Sequence, residues 1–103
     1  MDISTKENFA ACAKELDIQE DAYEKSPNHK CLFKCMMEKD GILKNGVFLE
    51  HEFKNVLTKD TELDENNRQK SIKALPICMD EAKYLTDLCN KAYTITVCLY
   101  KAL

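Results

Sequence analysis

The sequence lacks the short motifs that mark common catalytic sites. It has no G-x-S-x-G, no H-E-x-x-H and no glycine-rich phosphate loop, and it holds only two glycines. His29 and His51 are its only histidines, and solvent-facing rings beside solvated charges explain them more simply than a catalytic dyad does. We therefore expect no enzyme activity, no catalytic residue, no metal site and no cofactor.

Long apolar runs and clusters of basic residues are also missing. The apolar run at residues 74–79 is far too short to span a bilayer. The net charge is −3, and the interspersed charges form no basic face, so we expect no nucleic-acid partner. The opening Met1-Asp2-Ile3-Ser4 has neither a basic n-region nor an apolar h-region, so we expect no signal peptide.

The chain does have a globular composition and a high density of cysteine. Its 103 residues are 45% hydrophobic and 32% charged, which predicts one domain over residues 1–103. The six cysteines include no C-x-x-C redox motif and only one close pair, so zinc ligation and redox chemistry are disfavoured. Three disulfides in a secreted, extracellular protein explain them better, and an acidic start after Met1 fits a mature secreted chain with a new initiator.

Apolar residues recur at helical spacing through most of the chain. Ser4 and Glu7 form a capping box for the first helix, whose stripe includes Phe9 and Leu16. Residues 60–67 form a polar loop in which Asp64 can cap the next helix. A short helical turn is predicted around residues 22–23. Further helices are predicted at residues 29–39, 49–59 and 87–101.

Some segments carry conflicting or local signals. The helix that follows Asp64 is expected to bury Ile72, Leu75 and Met79. Pro76 lies within this helix, so we expect a kink or a break near Ala74. The β-branched run at residues 94–97 locally prefers strand, but the apolar period continues through it, and we predict helix. Gly41 is expected to end the helix at 29–39. Asn45 and Gly46 are expected to form a turn.

Cys31 and Cys35 share one face of the predicted helix at 29–39. Their Cβ atoms should lie ~5–6 Å apart, whereas a disulfide needs ~3.5–4.5 Å, so they should not bond each other while helical. Cys89 and Cys98 lie roughly 13.5 Å apart along the last helix and on opposite faces, so they cannot bond either. Each helix therefore reaches two separate partners, and several pairings remain open.

The cysteine spacing resembles that of a known family. The order is Cys12-x18-Cys31-x3-Cys35-x42-Cys78-x10-Cys89-x8-Cys98, and its x3 and x8 gaps are typical of the insect pheromone- and general odorant-binding proteins. The stretch KCLFKCMMEK at residues 30–39, followed by GIL at 41–43 and NGVF at 45–48, is typical of them too. The resemblance extends from Ile3 to Leu103.

This resemblance implies an all-α fold, a compact bundle of five to six helices stapled by three interlocked disulfides around an apolar cavity. The implied bonds are Cys12–Cys35, Cys31–Cys89 and Cys78–Cys98. Two features depart from the family. The gap of 18 residues after Cys12 is short, so the family's second helix must be truncated or missing, and only five residues follow Cys98, so no long C-terminal tail can enter the cavity. We expect the wall near residues 17–28 to be altered or open.

Pockets for small apolar ligands form between helices and are lined by aliphatic and aromatic side chains. Tyr93 and Tyr100 are candidates to bind a ligand's polar end, and protonation of His29 or His51 near pH ~6.5 is a hypothesis for ligand release. Each candidate lining residue is equally well explained as plain core. These candidates are Phe9, Phe33, Met37, Ile42, Leu43, Leu49, Phe53, Leu75, Met79, Ile95 and Leu99, with Leu57 one turn after Phe53.

The function that the resemblance implies is that of a secreted carrier, which solubilises odorants, pheromones or similar hydrophobic semiochemicals. Its expected partners are the small ligand and a membrane receptor, with the chain a monomer or a weak homodimer. Two alternatives remain. One is a non-olfactory carrier of the same family in haemolymph, gland or venom, and the other is an interaction or effector protein without a cavity.

Overall fold

Helices separated by short connections account for most of the chain. The computed structural model describes residues 3–103. Within them the fold is all-α, as predicted, with the addition of one very small β-hairpin. The elements are α1 (Ile3–Glu15), a 3-10 segment (Glu20–Lys25), α2 (His29–Lys39), β1 (Leu43–Lys44), β2 (Val47–Phe48), α3 (Glu50–Lys59), α4 (Glu65–Glu81) and α5 (Leu88–Lys101).

The N-terminal third contains α1 and the short connection to α2. α1 begins at Ile3, before the predicted cap Ser4, whose side chain lies outside the described residues. The chain leaves α1 through Asp17, which has a positive φ of 55°. The predicted turn around residues 22–23 is a 3-10 segment interrupted at Ala22, where φ is −141° and ψ is 35°. The truncated element expected in this gap is therefore a single irregular turn.

A hairpin after α2 is a feature that the sequence interpretation missed. Gly41 follows the C-terminus of α2 with a φ of 76°, as expected, and Asn45 and Gly46 have positive φ values of 52° and 78°. Positive φ at two successive residues is typical of the turn that joins antiparallel strands. β1 and β2 pair in this way, but strands of two residues are too short to show a period in the sequence.

α4 has the predicted N-terminal cap but differs from its prediction in the middle. The carboxylate of Asp64 accepts a hydrogen bond from the backbone N of Asn67 (2.8 Å), which confirms the predicted cap. The helix begins at Glu65, so the polar loop ends before the predicted residue 67. The helix continues through Pro76, so the alternative of a break near Ala74 is wrong, whereas the alternative of a kink stays a prediction. Pro76 is exposed, and its missing N–H therefore costs less than it would in the core, while the helical residues around it remain packed.

The buried face of α4 is also partly different from the prediction. Ser71, Leu75, Cys78 and Ala82, one of which follows the helix, are buried, whereas Ile72 and Met79 are half-buried. The buried residues follow helical spacing on both sides of the proline. This continuous stripe packs α4 against α3 and α5.

Buried apolar side chains form two clusters. The α1–α2 cluster consists of Cys12, Ala13, Ile18 and Leu32, with Phe9, Leu16, Tyr23, Cys35 and Met36 packed against it. The main cluster lies between α2, the hairpin region and α3–α5, and contains Met37, Ile42, Leu43, Phe53, Leu75, Cys78, Ala82, Ala92, Ile95 and Leu99, with Phe33, Phe48, Val56, Leu57, Ala74, Met79, Leu85 and Cys98 packed against it.

α2 contributes to both clusters and is bonded to the chain on each side of it. Leu32 belongs to the α1–α2 cluster and Met37 to the main cluster. Cys35 bonds Cys12 of α1, and Cys31 bonds Cys89 of α5. The remaining disulfide, Cys78–Cys98, joins α4 to α5, so the three bonds pair as the resemblance implies.

Candidate ligand-binding site

Most of the predicted ligand-binding residues meet in the main cluster. All of them except Phe9 and Leu49 belong to that cluster or pack against it. Phe9 lies in the α1–α2 cluster, and Leu49 is the half-buried residue that precedes α3. Four helices and the hairpin region thus bring the candidates together, although a packed core and the lining of a binding site would share this arrangement.

The interior is almost free of polar side chains. Among the described residues, Ser71 is the only buried polar or charged residue, and no buried side-chain nitrogen or oxygen is left without a hydrogen-bond partner. A ligand's polar group placed deep in this region would lose its hydrogen bonds to water with little to replace them. Any polar recognition is therefore expected at the edge of the main cluster.

A row of aromatic rings connects the two clusters. Phe9 contacts Tyr23 edge-to-face with ring centroids 5.5 Å apart, and Tyr23 contacts Phe33 in the same way at 6.2 Å. Phe33 in turn contacts Tyr93 of α5 at 5.4 Å. His29 also meets the Tyr93 ring edge-to-face, at 5.2 Å. This aromatic row, Phe9–Tyr23–Phe33–Tyr93, crosses from α1 through the 3-10 segment and α2 to α5.

The phenol of Tyr23 has a raised pKa in the folded chain. Burial raises the pKa of Tyr23 above its usual 10.0, with smaller contributions from Glu24, Tyr100 and Tyr93. Tyr100 is 65% exposed, whereas Tyr23 and Tyr93 are half-buried. The phenols therefore lie at a boundary between the apolar interior and water.

Two open depressions are lined by residues that, apart from Tyr93, were not predicted to bind the ligand. One, of about 530 Å³, occupies the outer side of α1 and the start of the 3-10 segment; it is lined by Ala10, Ala13, Lys14, Ile18, Gln19, Glu20 and Asp21. The other, of about 420 Å³, lies beside α5 and is lined by Glu81, Tyr93, Thr94, Val97, Cys98 and Lys101. The second shares Tyr93 with the aromatic row, and its Cys98 packs against the main cluster.

The two histidines have ordinary surroundings. Nδ1 of His29 donates to the backbone oxygen of Ser26 (3.1 Å), and His51 is exposed, with its Nε2 3.4 Å from Nδ2 of Asn55. Among the described residues, one group resembles a set of metal ligands, namely Cys12, Glu15 and Cys35. Its two cysteines are joined in a disulfide, so they have no thiolate to offer a metal.

Comparison with known proteins identifies the family. The model of the PBP/GOBP family matches residues 2–102. The chain belongs to the PBP/GOBP family. The pheromone-binding protein Gp-9 of Solenopsis nigella gensterblumi is 28% identical in an alignment that covers 96% of this chain and 74% of the relative, and the Gp-9 protein of Solenopsis globularia littoralis is 27% identical over 93% and 71%. No solved structure matches the chain significantly.

Membership of the PBP/GOBP family agrees with the observed architecture. The fold is helical, and all six cysteines are in disulfides. No helix in residues 3–103 combines the length and the apolar character needed to cross a membrane. The similar Gp-9 proteins are named as pheromone-binding proteins.

Tyr23 is the residue of this region that the sequence interpretation overlooked. It lies in the short connection between Cys12 and Cys31, where no long apolar stripe marks a buried face. The only available signal was an aromatic residue among charged neighbours, Asp21, Glu24 and Lys25. An isolated aromatic residue of this kind is compatible with a surface turn, so its contacts with Phe9 and Phe33 required the structure.

Proposed function

We propose that this PBP/GOBP protein is a secreted carrier, which binds a small hydrophobic ligand among the residues of the main cluster. Odorants, pheromones or similar semiochemicals are the proposed ligand class, since the similar Gp-9 proteins are named as pheromone-binding. The observation that carries the proposal is the convergence of the predicted lining residues, from α2 to α5, on one apolar region. Such a region between helices is the usual setting for an apolar ligand.

The disulfides support a carrier because they would compensate for the packing contacts that a ligand cavity lacks. A binding cavity forfeits packing contacts, and the loss of stability grows with its volume. Each disulfide typically contributes ~2–4 kcal/mol, and here the three bonds connect α1, α2, α4 and α5. The same bonds support secretion, since disulfides form and persist in oxidising compartments.

The route proposed for the ligand is the depression beside α5. This depression reaches Cys98, which packs against the main cluster, and is bordered by the half-buried Tyr93. Val97 and Thr94 form further parts of its surface. Small side-chain movements of α5 would connect it with the interior.

Uptake of N-phenyl-1-naphthylamine by the oxidised protein tests the proposal. We expect a fluorescence increase that saturates at one probe per chain, and displacement by fatty acids, alcohols or terpenoids. Ala92 is fully buried in the main cluster, so Ala92→Leu should fill the site and weaken uptake strongly. Ala10→Leu is the matched control, because it adds the same volume in the outer depression on α1 and should leave uptake unchanged.

The two variants also distinguish a carrier from an interaction protein without a cavity. In a fully packed interior, the larger side chain at position 92 should cost ~1–3 kcal/mol of stability, and no probe should bind to the parent protein. In a hollow interior, Ala92→Leu should retain most of the stability while losing the probe. Weakened uptake in Ala10→Leu alone would move the site to α1 and refute the interior location.

A further inference from the structure

Tyr23 occupies a position that the proposed ligand site can use for specificity. Its ring is held by edge-to-face contacts on both sides, with Phe9 at 5.5 Å and Phe33 at 6.2 Å. Edge-to-face pairs at these distances are favourable and fix the relative orientation of the rings. A ring held in this way also fixes the direction of its hydroxyl group.

Tyr23 lies at the edge of the apolar interior, where its side chain is half-buried and packs against the α1–α2 cluster. Phe33, one of its ring partners, packs against the main cluster. Phe33 also contacts Tyr93 at 5.4 Å; Tyr93 and the largely exposed Tyr100 both contribute to the raised pKa of Tyr23. An apolar ligand beside Phe33 would therefore have its outer end close to this group of phenols.

The rest of the interior offers little for a polar ligand atom. Among residues 5–103, whose burial is described, Ser71 is the only buried polar or charged residue. No protein hydrogen bond to the Tyr23 hydroxyl is seen among the described residues, so this donor and acceptor remains available to a ligand. A buried ligand oxygen is stabilised only when it finds such a partner.

We propose that Tyr23 is a specificity-determining residue, whose hydroxyl hydrogen-bonds ligands that carry an oxygen at one end of an apolar body. The inference rests on the proposed carrier function and assigns it a selectivity for small alcohols and related amphiphiles over plain hydrocarbons. The selecting residue lies in the 3-10 segment (Glu20–Lys25), within the connection that is short in this chain.

Displacement of N-phenyl-1-naphthylamine by 1-octanol and by nonane tests the proposal, because these ligands have the same number of non-hydrogen atoms. In Tyr23→Phe, 1-octanol should bind roughly two- to tenfold more weakly, which corresponds to one hydrogen bond, while the affinity for nonane stays the same. Tyr84→Phe is the matched control, since Tyr84 is 85% exposed and contacts Lys83 of its own segment.

Each outcome has a defined meaning. Failure of the parent protein to bind the probe would remove the carrier function itself. Probe binding with an unchanged 1-octanol to nonane ratio in Tyr23→Phe would overturn the role of Tyr23 and leave the carrier function standing. A loss of 1-octanol binding in Tyr93→Phe alone would also overturn it, because the selecting hydroxyl would then belong to α5.

Discussion

Arg68 connects the end of α3, the following loop and the start of α4, and it offers a direct test of how this fold positions the main cluster. It is the only arginine in the sequence, and its side chain is 18% exposed. Its Nε donates to the backbone oxygen of Leu57 (3.2 Å), and its Nη2 donates to those of Asp60 (2.6 Å) and Leu63 (2.8 Å). One guanidinium thus satisfies carbonyl groups at the end of α3 and in the loop.

The expected cost of removing this group follows from those bonds. Each buried or half-buried hydrogen bond contributes ~1 kcal/mol net, and more when the donor is charged, so Arg68→Met should lower the free energy of unfolding by about 3 kcal/mol. That is a large part of the roughly 5–15 kcal/mol typical of a small domain. Arg68→Lys should lose less, because an ammonium group keeps the charge but lacks the forked geometry.

Urea unfolding of the oxidised protein, followed by helical circular dichroism, measures these losses. Arg68 also pairs with Glu65, whose side chain is 70% exposed and whose pKa is lowered by hydrogen bonds from Gln69 first and Arg68 second. Glu65→Gln is the matched control and should cost far less, since exposed pairs contribute little. Equal losses in Glu65→Gln and Arg68→Met would refute the assignment to the backbone carbonyls.

Three further predictions concern other regions. Asp87→Ala should lower the free energy of unfolding by ~1 kcal/mol in the same urea assay, because the Asp87 carboxylate caps α5 by accepting from the backbone N of Asn90 (3.0 Å); an unchanged midpoint would contradict this. Mild reduction should open Cys31–Cys89 first, since both its cysteines are half-buried whereas each other bond has one buried cysteine. Alkylation with mass spectrometry identifies the pair of cysteines labelled first, and earlier labelling of another pair would refute this order of reduction. Because the pKa of Tyr23 is raised in the folded chain, the free energy of unfolding should be retained below pH 10.0 and fall as the pH rises through the pKa of the folded state. Tyr23→Phe should reduce this fall when the free energy of unfolding is measured over a pH series, and the same pH dependence in both proteins would contradict the prediction.

The sequence predicted the elements whose signals are local or repeated. α2 has the predicted bounds, because a proline-containing turn precedes it and a glycine follows it. α5 is helical despite its β-branched run, since Ala92, Ile95 and Leu99 maintain a buried stripe. The alternative of a break at Pro76 was wrong, because the surrounding tertiary contacts override the local preference. The prediction also missed the hairpin, whose strands are too short for a period.

The candidate site was less predictable because lining a cavity and forming a core require the same residues. Periodicity identified Met37, Phe53, Leu75 and Ile95 as inward-facing, and the structure places them in one cluster. It carried no information on Tyr23, because the contacts of that residue join segments that are distant in sequence. The assignment of these residues to a ligand stays a prediction.

The position of α2 gives the proposed role of Tyr23 in ligand selection a structural basis. α2 packs against both α1 and α5, and the connection that precedes it contributes Ile18 and Tyr23 to the α1–α2 cluster. A longer connection could place a helix there, but the short one leaves space for a single turn, and that turn puts Tyr23 between Phe9 and Phe33. Cys35 and Cys31 anchor the adjacent helix to α1 and α5. The aromatic row therefore rests on a disulfide-braced frame, which is the condition under which one hydroxyl can discriminate between ligands of equal size.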